Sequence, residues 1–299
     1  MNTILTQMSV PTLVDKESRF KLTGGDRKLV DLIAKKLIEA EKHFGRLLGE
    51  PEAFNRIGNV YYILKRTRDA ETTGDGGPTT IVAKGDLGLI DQALQFYDKS
   101  VTLKPDYDEA WNNKGNALYN MQRIDEAISC FDRAIAINAQ YDKAWYNKGS
   151  ALGSLKRFQE ALECYDRAIE INPSYEKAWN NKGNALYSLQ KVEDAIACYE
   201  KAVKLDPSFK QAWNNKGNAL YAAGNSLFSQ GRTDEGKAKI QDAVECYKSA
   251  IKIDPSYVRA IYNKGNALFN LNQVDEAINA YDDVLELDDG NVKAWNNKG

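Results

Sequence analysis

The sequence predicts an all-α solenoid of stacked helix pairs, and three observations carry that expectation. Trp111, Trp145, Trp179 and Trp213 stand 34 residues apart, each opening a version of the phrase AWNNKGNALY. A second phrase follows in every period, as DEAISCFDRAIAI from Asp125 or EDAIACYEKAVKL from Glu193. Both phrases space their apolar residues as a helix does and contain no proline. Pro105, Pro173, Pro207 and Pro255 come just after the second phrase, where a helix has to stop. A fixed period of this size marks repeated units that bury their apolar faces against one another.

Taken in order, the chain opens with MNTILTQMSVPTLVDK, which has neither a charged start nor a sustained apolar run, so no export signal is expected. Asp26 to Leu48 reads as an amphipathic helix, with Leu29, Leu32, Ile33, Leu37, Phe44 and Leu48 on one side and Asp26 as its N-cap. Residues 1–50 are therefore an extended segment and a helix that caps the first unit's apolar face; a partner-binding helix is the sharper alternative.

The repeats are expected over residues 51–299. AFNRIGNVYY at Ala53 to Tyr62 is a worn first phrase, and residues 67–90 split its helix pair. Their glycine cluster lacks the lysine and hydroxyl residue of a phosphate loop and is too short for a calcium loop, which leaves a mobile loop. Regular pairs follow from Trp111, Trp145 and Trp179. The step from Trp213 to Ile261 is 48 residues, 14 more than the period, and the excess lies at about 222–236. Shared between two helices, it lengthens each by roughly 10 Å, in a hairpin turning near Gly231 to Asp234. Ile261 opens a sixth pair. Trp295 begins another that stops at Gly299, so a fragment of a longer array is expected.

Within the second phrase a small column, Ala93, Ala127, Ala161, Ala195, Ala243 and Ala277, precedes an aromatic one, Tyr97, Phe131, Tyr165, Tyr199, Tyr247 and Tyr281. The first phrase carries Gly58, Gly115, Gly149, Gly183, Gly217 and Gly265 in mid-helix. Glycine there costs about 1 kcal/mol relative to alanine. Repeated six times, that cost implies close approach of the paired helices, with the alanine column opposite.

These residues resemble the tetratricopeptide repeat, whose pattern is Trp, Leu, Gly, Tyr, then Ala, Phe or Tyr, Ala and Pro; the likeness covers about residues 52–299. The NNKGNALY wording is similar to repeats of methanogenic archaea and cyanobacteria. The resemblance implies a right-handed solenoid in which the first helix of each pair lines an inner groove. Two departures stand out. Lys114, Lys148, Lys182, Lys216, Lys264 and Lys298 replace the usual leucine, where the stem packs and the ammonium reaches water. Ala139 and Asp289 replace proline, which predicts looser turns.

Composition excludes several functions. Forty Lys and Arg against 42 Asp and Glu give no basic footprint for nucleic acid. No apolar run approaches the length of a membrane span. The single histidine, His43, rules out a histidine triad or a His-rich zinc site. Cys130, Cys164, Cys198 and Cys246 hold one position in successive units, about 10 Å apart in stacked helices and too far for a disulfide or a shared zinc. They read as small buried hydrophobes in a reducing, cytoplasmic compartment. No enzyme and no cofactor is expected.

The first helix carries the binding expectation. With Trp111, Gly115 and Leu118 facing the core, Asn112, Asn113, Asn116 and Tyr119 fall on the other face. That face repeats as Asn113, Asn147, Asn181, Asn215 and Asn263, then Asn116, Asn184, Asn218 and Asn266, with Ser150 as the exception. Beside them run Asn112, Tyr146, Asn180, Asn214 and Tyr262, and one turn on come Tyr119, Tyr187, Tyr221 and Phe269.

An amide offers a donor and an acceptor, as a peptide backbone does, and the arrangement resembles the asparagine ladder in the repeats of O-linked N-acetylglucosamine transferase. Lys143 and Lys177, with Arg259 and Lys293, make the groove mildly basic and favour a ligand with some carboxylates. The lysine–arginine clamp of chaperone-tail receptors is absent, because Asn112, Tyr146, Asn180 and Asn214 hold its positions. The expectation is thus a non-catalytic scaffold gripping an extended, partly acidic peptide. A self-assembling solenoid, or the targeting arm of a longer protein, is the alternative. Asparagine bonds between adjacent units, purely architectural, are the competing account of the ladder.

Overall fold

The structure, a computed structural model, describes residues 51–59, 61–62 and 87–299. The capping helix expected over Asp26–Leu48 and residues 67–86 of the first insertion lie outside the described residues. The last four positions of that insertion, 87–90, are not loop but the first turn of a helix. Residues 51–59 and 61–62 are helical. Then follow α1 (Leu87–Leu103), α2 (Asp108–Asn120), α3 (Ile124–Ile137), α4 (Asp142–Ser154), α5 (Phe158–Ile171) and α6 (Glu176–Ser188). The chain continues through α7 (Val192–Leu205), α8 (Lys210–Ser229), α9 (Thr233–Ile253), α10 (Val258–Asn270), α11 (Val274–Leu287) and α12 (Val292–Lys298). The fold is an all-α solenoid in which consecutive helices pack on one another, α1 on α2 and α2 on α3 in the first unit, and α5 through α12 each on the next in the second. It divides into two compact units, one ending at Asn147 and one running Lys148–Gly299.

The five pairs from α2/α3 to α10/α11 are each joined by a turn whose central residue has a left-handed backbone: Gln122, Lys156, Gln190 and Asn272 at φ 60–62°, and Gly231 at 76°. The next N–H reaches back to the helix, as Arg123 N–H to Leu118 O (2.9 Å) and Lys191 N–H to Leu186 O (2.9 Å), closing the carbonyls a helix end leaves open.

The mid-helix glycines make room for the aromatic column rather than for the alanines. A Cβ at Gly183 would lie 2.6 Å from the Tyr199 ring, at Gly115 2.5 Å from Phe131, and at Gly217 2.5 Å from Tyr247. Each ring therefore lies directly on the backbone of its partner helix. These rings are buried together with the alanine column.

Between repeats, each tryptophan Nε1–H donates six residues back, from Trp111 to Pro105 O (3.0 Å), Trp179 to Pro173 O (3.1 Å) and Trp213 to Pro207 O (3.0 Å). Ala139 and Asp289 accept the same bond, at 3.0 Å from Trp145 and 2.9 Å from Trp295. The turns without proline are not loosened, because the clamp uses a carbonyl that any residue supplies.

In the first unit, the Phe96 ring stacks on Tyr61 (centroids 5.5 Å apart) and the Ser100 hydroxyl donates to Pro51 O (2.7 Å). In the second unit, Ile240, Val244, Tyr247, Ile261, Tyr281 and Val284 belong to one buried cluster. α8 and α9 have 20 and 21 residues, against 13 and 14 in α6 and α7. Near the tip Gly224 and Gly236 face each other, a Cβ on either falling 2.9 Å from the other's carbonyl oxygen.

Candidate functional site

The asparagine columns sit on the first helices, and the structure resolves how their amides are used. In the second unit, three rungs repeat one pattern. Tyr199 OH donates to Asn184 Oδ1 (2.8 Å), Tyr247 OH to Asn218 Oδ1 (2.9 Å) and Tyr281 OH to Asn266 Oδ1 (2.9 Å). The next repeat's asparagine fills the other lone pair of each oxygen: Asn215 Nδ2 to Asn184 (3.1 Å), Asn263 to Asn218 (3.0 Å) and Asn297 to Asn266 (2.9 Å). Those same Nδ2 groups donate a second bond, to Asn180 Oδ1 (3.0 Å), Asn214 Oδ1 (3.1 Å) and Tyr262 OH (3.0 Å) respectively.

Half of every amide is thereby spent inside the protein. The Nδ2 hydrogens of Asn184, Asn218 and Asn266 have no partner among the described residues, nor do the Oδ1 atoms of Asn215, Asn263 and Asn297. Each rung keeps one amide donor and one amide acceptor on residues that are half-buried or exposed.

Elsewhere the pattern is partial. Asn181 Nδ2 meets Ser150 Oγ at 3.4 Å and its Oδ1 accepts from Asn180 (3.1 Å). In the first unit Asn113 donates to Asn55 Oδ1 (3.1 Å) and Asn147 to Asn112 Oδ1 (2.8 Å). Phe131 stands in the tyrosine column there, so Asn116 receives no hydroxyl of this kind.

Asn112, Asn180 and Asn214 do not line the groove, as the helical wheel expected; they are 3%, 5% and 5% exposed. They are the acceptors that receive the next repeat, a role Tyr262 fills with its hydroxyl. The available signal was that this column exchanges Asn with Tyr146 and Tyr262, side chains alike in having a packable body and a polar tip. Tyr119, Tyr187 and Tyr221 are half-buried, and Tyr221 OH accepts from Asn270 (2.6 Å). Lys143 and Lys177 are exposed on the first turn of their helices.

The lysines that replace the repeat's leucine act away from this face. Lys114 pairs with Asp98 (2.7 Å) and Lys182 with Asp166 (2.6 Å), each on the preceding second helix, while the ammonium also lies over its own tryptophan ring. Burial pushes the thiols of Cys130, Cys198 and Cys246 up to about 11, far from the reactive range. Among the described residues there is no cluster of three or more metal-ligating side chains, and no helix long and apolar enough to cross a membrane.

Residues 108–141, 142–175 and 258–291 match the tetratricopeptide repeat, as 164–197 do in a second description of it, and 183–224 and 224–272 match the TPR repeat. The chain belongs to the tetratricopeptide-repeat family. As a member it is a protein-interaction scaffold, built on the fold its solved relatives share. PilF of Pseudomonas aeruginosa is similar to this tetratricopeptide-repeat chain at 16% identity and a TM-score of 0.63, over 82% of this chain and 95% of PilF. Cut9, in the Cut9–Hcn1 assembly of the APC/C, aligns at 14% identity and 0.62, over 92% of this chain and 46% of that one. YrrB, described as a TPR protein with an unusual peptide-binding site, aligns at 17% and 0.53, over 68% and 97%. These likenesses establish the fold. No curated protein sequence matches the chain significantly.

Proposed function

We propose that this chain is a non-catalytic scaffold that holds an extended segment of a protein partner along its first-helix face, through the half of the asparagine ladder that the repeats leave unspent. The observation that carries the reading is the division within each rung: one free amide donor and one free amide acceptor, repeated at Asn184/Asn215, Asn218/Asn263 and Asn266/Asn297. A peptide backbone presents the complementary C=O and N–H whatever its side chains. Asn113, Asn116, Asn147 and Asn181 extend the ladder less completely. Tyr119, Tyr187 and Tyr221 add apolar area, and exposed Lys143 and Lys177 favour a ligand carrying some carboxylates. The four buried free cysteines fit a reducing compartment, and we place the chain in the cytoplasm.

Replacing Asn184, Asn218 and Asn266 together by Asp tests this. Aspartate keeps an oxygen that accepts from Tyr199, Tyr247 and Tyr281 and from the next repeat, and puts a charged acceptor oxygen where the unspent donor stood. Peptides selected from a random library on the intact chain, and neutral in charge, should bind the triple variant at least about tenfold more weakly, since three bonds of about 0.5–1.5 kcal/mol are lost. The unfolding midpoint should stay near that of the parent. Equal affinity for both proteins would remove the ladder from the binding surface and leave it as architecture.

A further inference from the structure

We infer that the lengthened α8–α9 hairpin is part of the partner-binding surface, because it carries a further amide station, Asn225 with Asn270, beside the Asn218/Asn263 rung. The inference rests on the peptide-scaffold reading and adds to it two residues and an element that the 34-residue period does not supply.

The station repeats a rung one heptad along the same two helices. Asn263 Nδ2 donates to Asn214 Oδ1 (3.1 Å) and Asn218 Oδ1 (3.0 Å). Seven positions on, Asn270 Nδ2 donates to Tyr221 OH (2.6 Å) and Asn225 Oδ1 (3.1 Å). A tyrosine hydroxyl takes the place of the first acceptor, as the Tyr262 hydroxyl does for Asn297 (3.0 Å). Seven residues are close to two helical turns, so the two stations lie about 10.5 Å apart along α8. The regular first helices α2 and α6 are too short to form the second one. It needs an acceptor four residues past the tyrosine, and these helices stop at Asn120 and Ser188, one residue beyond Tyr119 and Tyr187. α8 runs on to Ser229.

Less of this station is consumed within the protein. In the ladder a tyrosine of the second helix fills one lone pair of the asparagine oxygen, as Tyr247 does for Asn218 (2.9 Å). Seven positions before Tyr247 stands Ile240, fully buried and without a hydroxyl. Asn225 keeps both Nδ2 hydrogens and one Oδ1 lone pair without a partner among the described residues, and Asn270 keeps its Oδ1. Asn225 is half-buried and Asn270 exposed, so a ligand can reach both. These donors and acceptors are uncharged and complement the C=O and N–H groups of a neutral stretch of backbone. The occupant is the protein segment that follows the ladder, held at this step by two stations instead of one.

The test uses the full chain and neutral peptides selected on it from a random library. Calorimetry compares the parent with two variants. Asn225→Asp keeps an oxygen for Asn270 and puts a charged acceptor where the unspent donor stood. Ser226→Asp adds the same charge at the next residue, which is exposed and outside the station. Asn225→Asp should weaken binding at least about threefold, the loss of one hydrogen bond, and Ser226→Asp should not. In the parent, the side-chain amide resonances of Asn225 should shift as peptide is added. Unmoved Asn225 resonances, or equal weakening by both variants, overturn the station whatever the stability of either variant. Unchanged binding by Asn225→Asp, with the Asn184, Asn218 and Asn266 triple variant still weakened, also overturns it and leaves the scaffold reading standing. Full affinity in the triple variant as well overturns both.

Discussion

A methyl group added at Gly183 would lie 2.6 Å from Tyr199 Cε1, and the same holds within 0.1 Å at Gly58, Gly115, Gly149, Gly217 and Gly265 against their own rings. Alanine is the better helix former by about 1 kcal/mol, so propensity alone predicts that Gly183→Ala stabilises. Overpacking of a filled interior costs about 1–3 kcal/mol and should win, with urea unfolding as the measurement. A net gain in stability would mean that the ring can yield. Gln190 is the opposite case: its φ of 61° is costly for any residue with a Cβ, and nothing about the turn requires the side chain. Gln190→Gly should raise stability by about 0.5 kcal/mol, the relief of strain being partly offset by the added freedom of the unfolded chain. Asn215→Ala removes the inter-repeat partner of Asn180 Oδ1, on a side chain only 5% exposed, and should cost about 1–3 kcal/mol in the same assay.

The α8–α9 hairpin is the element that departs from the period. Removing residues 222–228 and 236–242 joins Tyr221 to Ser229 and Glu235 to Ala243, keeps the turn at Gly231 and restores a spacing of 34 between Trp213 and the next repeat. Because α8 and α9 differ from regular helices only in length, this deletion should fold with helicity per residue unchanged in circular dichroism. Collapse of the fold would show that the extension supports the repeats beyond its own bond from Asn270 to Asn225 (3.1 Å). At the base of the same hairpin, Lys210 pairs with Asp254, and the Ser256 hydroxyl donates to the same carboxylate. Together, Lys210 first, they hold that carboxyl at about 2, below its ordinary 3.8. A depressed carboxyl stabilises the folded chain above pH 3.8, and the contribution is lost as pH falls through 2. Lys210→Met should therefore flatten the acid limb of the stability curve between those values. With side chains 32% and 27% exposed, the effect stays below about 1 kcal/mol.

Across the whole molecule the formal charge is −2, so neither half of the binding expectation rests on a strong field. Amide-to-backbone bonds carry no net charge and are not screened by salt. The affinity for a neutral peptide selected on the intact chain should change less than about twofold between 0.05 and 0.5 M salt. A steep salt dependence would point to Lys143, Lys177 and the other exposed cations as the binding groups.

The sequence by itself determined the period, the helix pairs, the lengthened hairpin and the polar character of the first-helix face. Each of these depends on the spacing of residue types along one chain, which a helix converts directly into geometry. It read Asn113, Asn147, Asn181, Asn215 and Asn263 as a column and could not tell ligand contact from architecture. Only the tertiary structure showed which amide groups join repeats, because those bonds link residues 31 to 49 positions apart, as Asn215 to Asn184 and Asn263 to Asn214. A helical wheel gives the direction of a side chain but not what the next repeat brings opposite it. Asn112 and Asn113 are neighbours on one turn, yet the stacking of repeats buries the first and leaves the second half-exposed. In the three rungs of the second unit the same stacking divides each amide into a half that joins repeats and a half with no partner among the described residues.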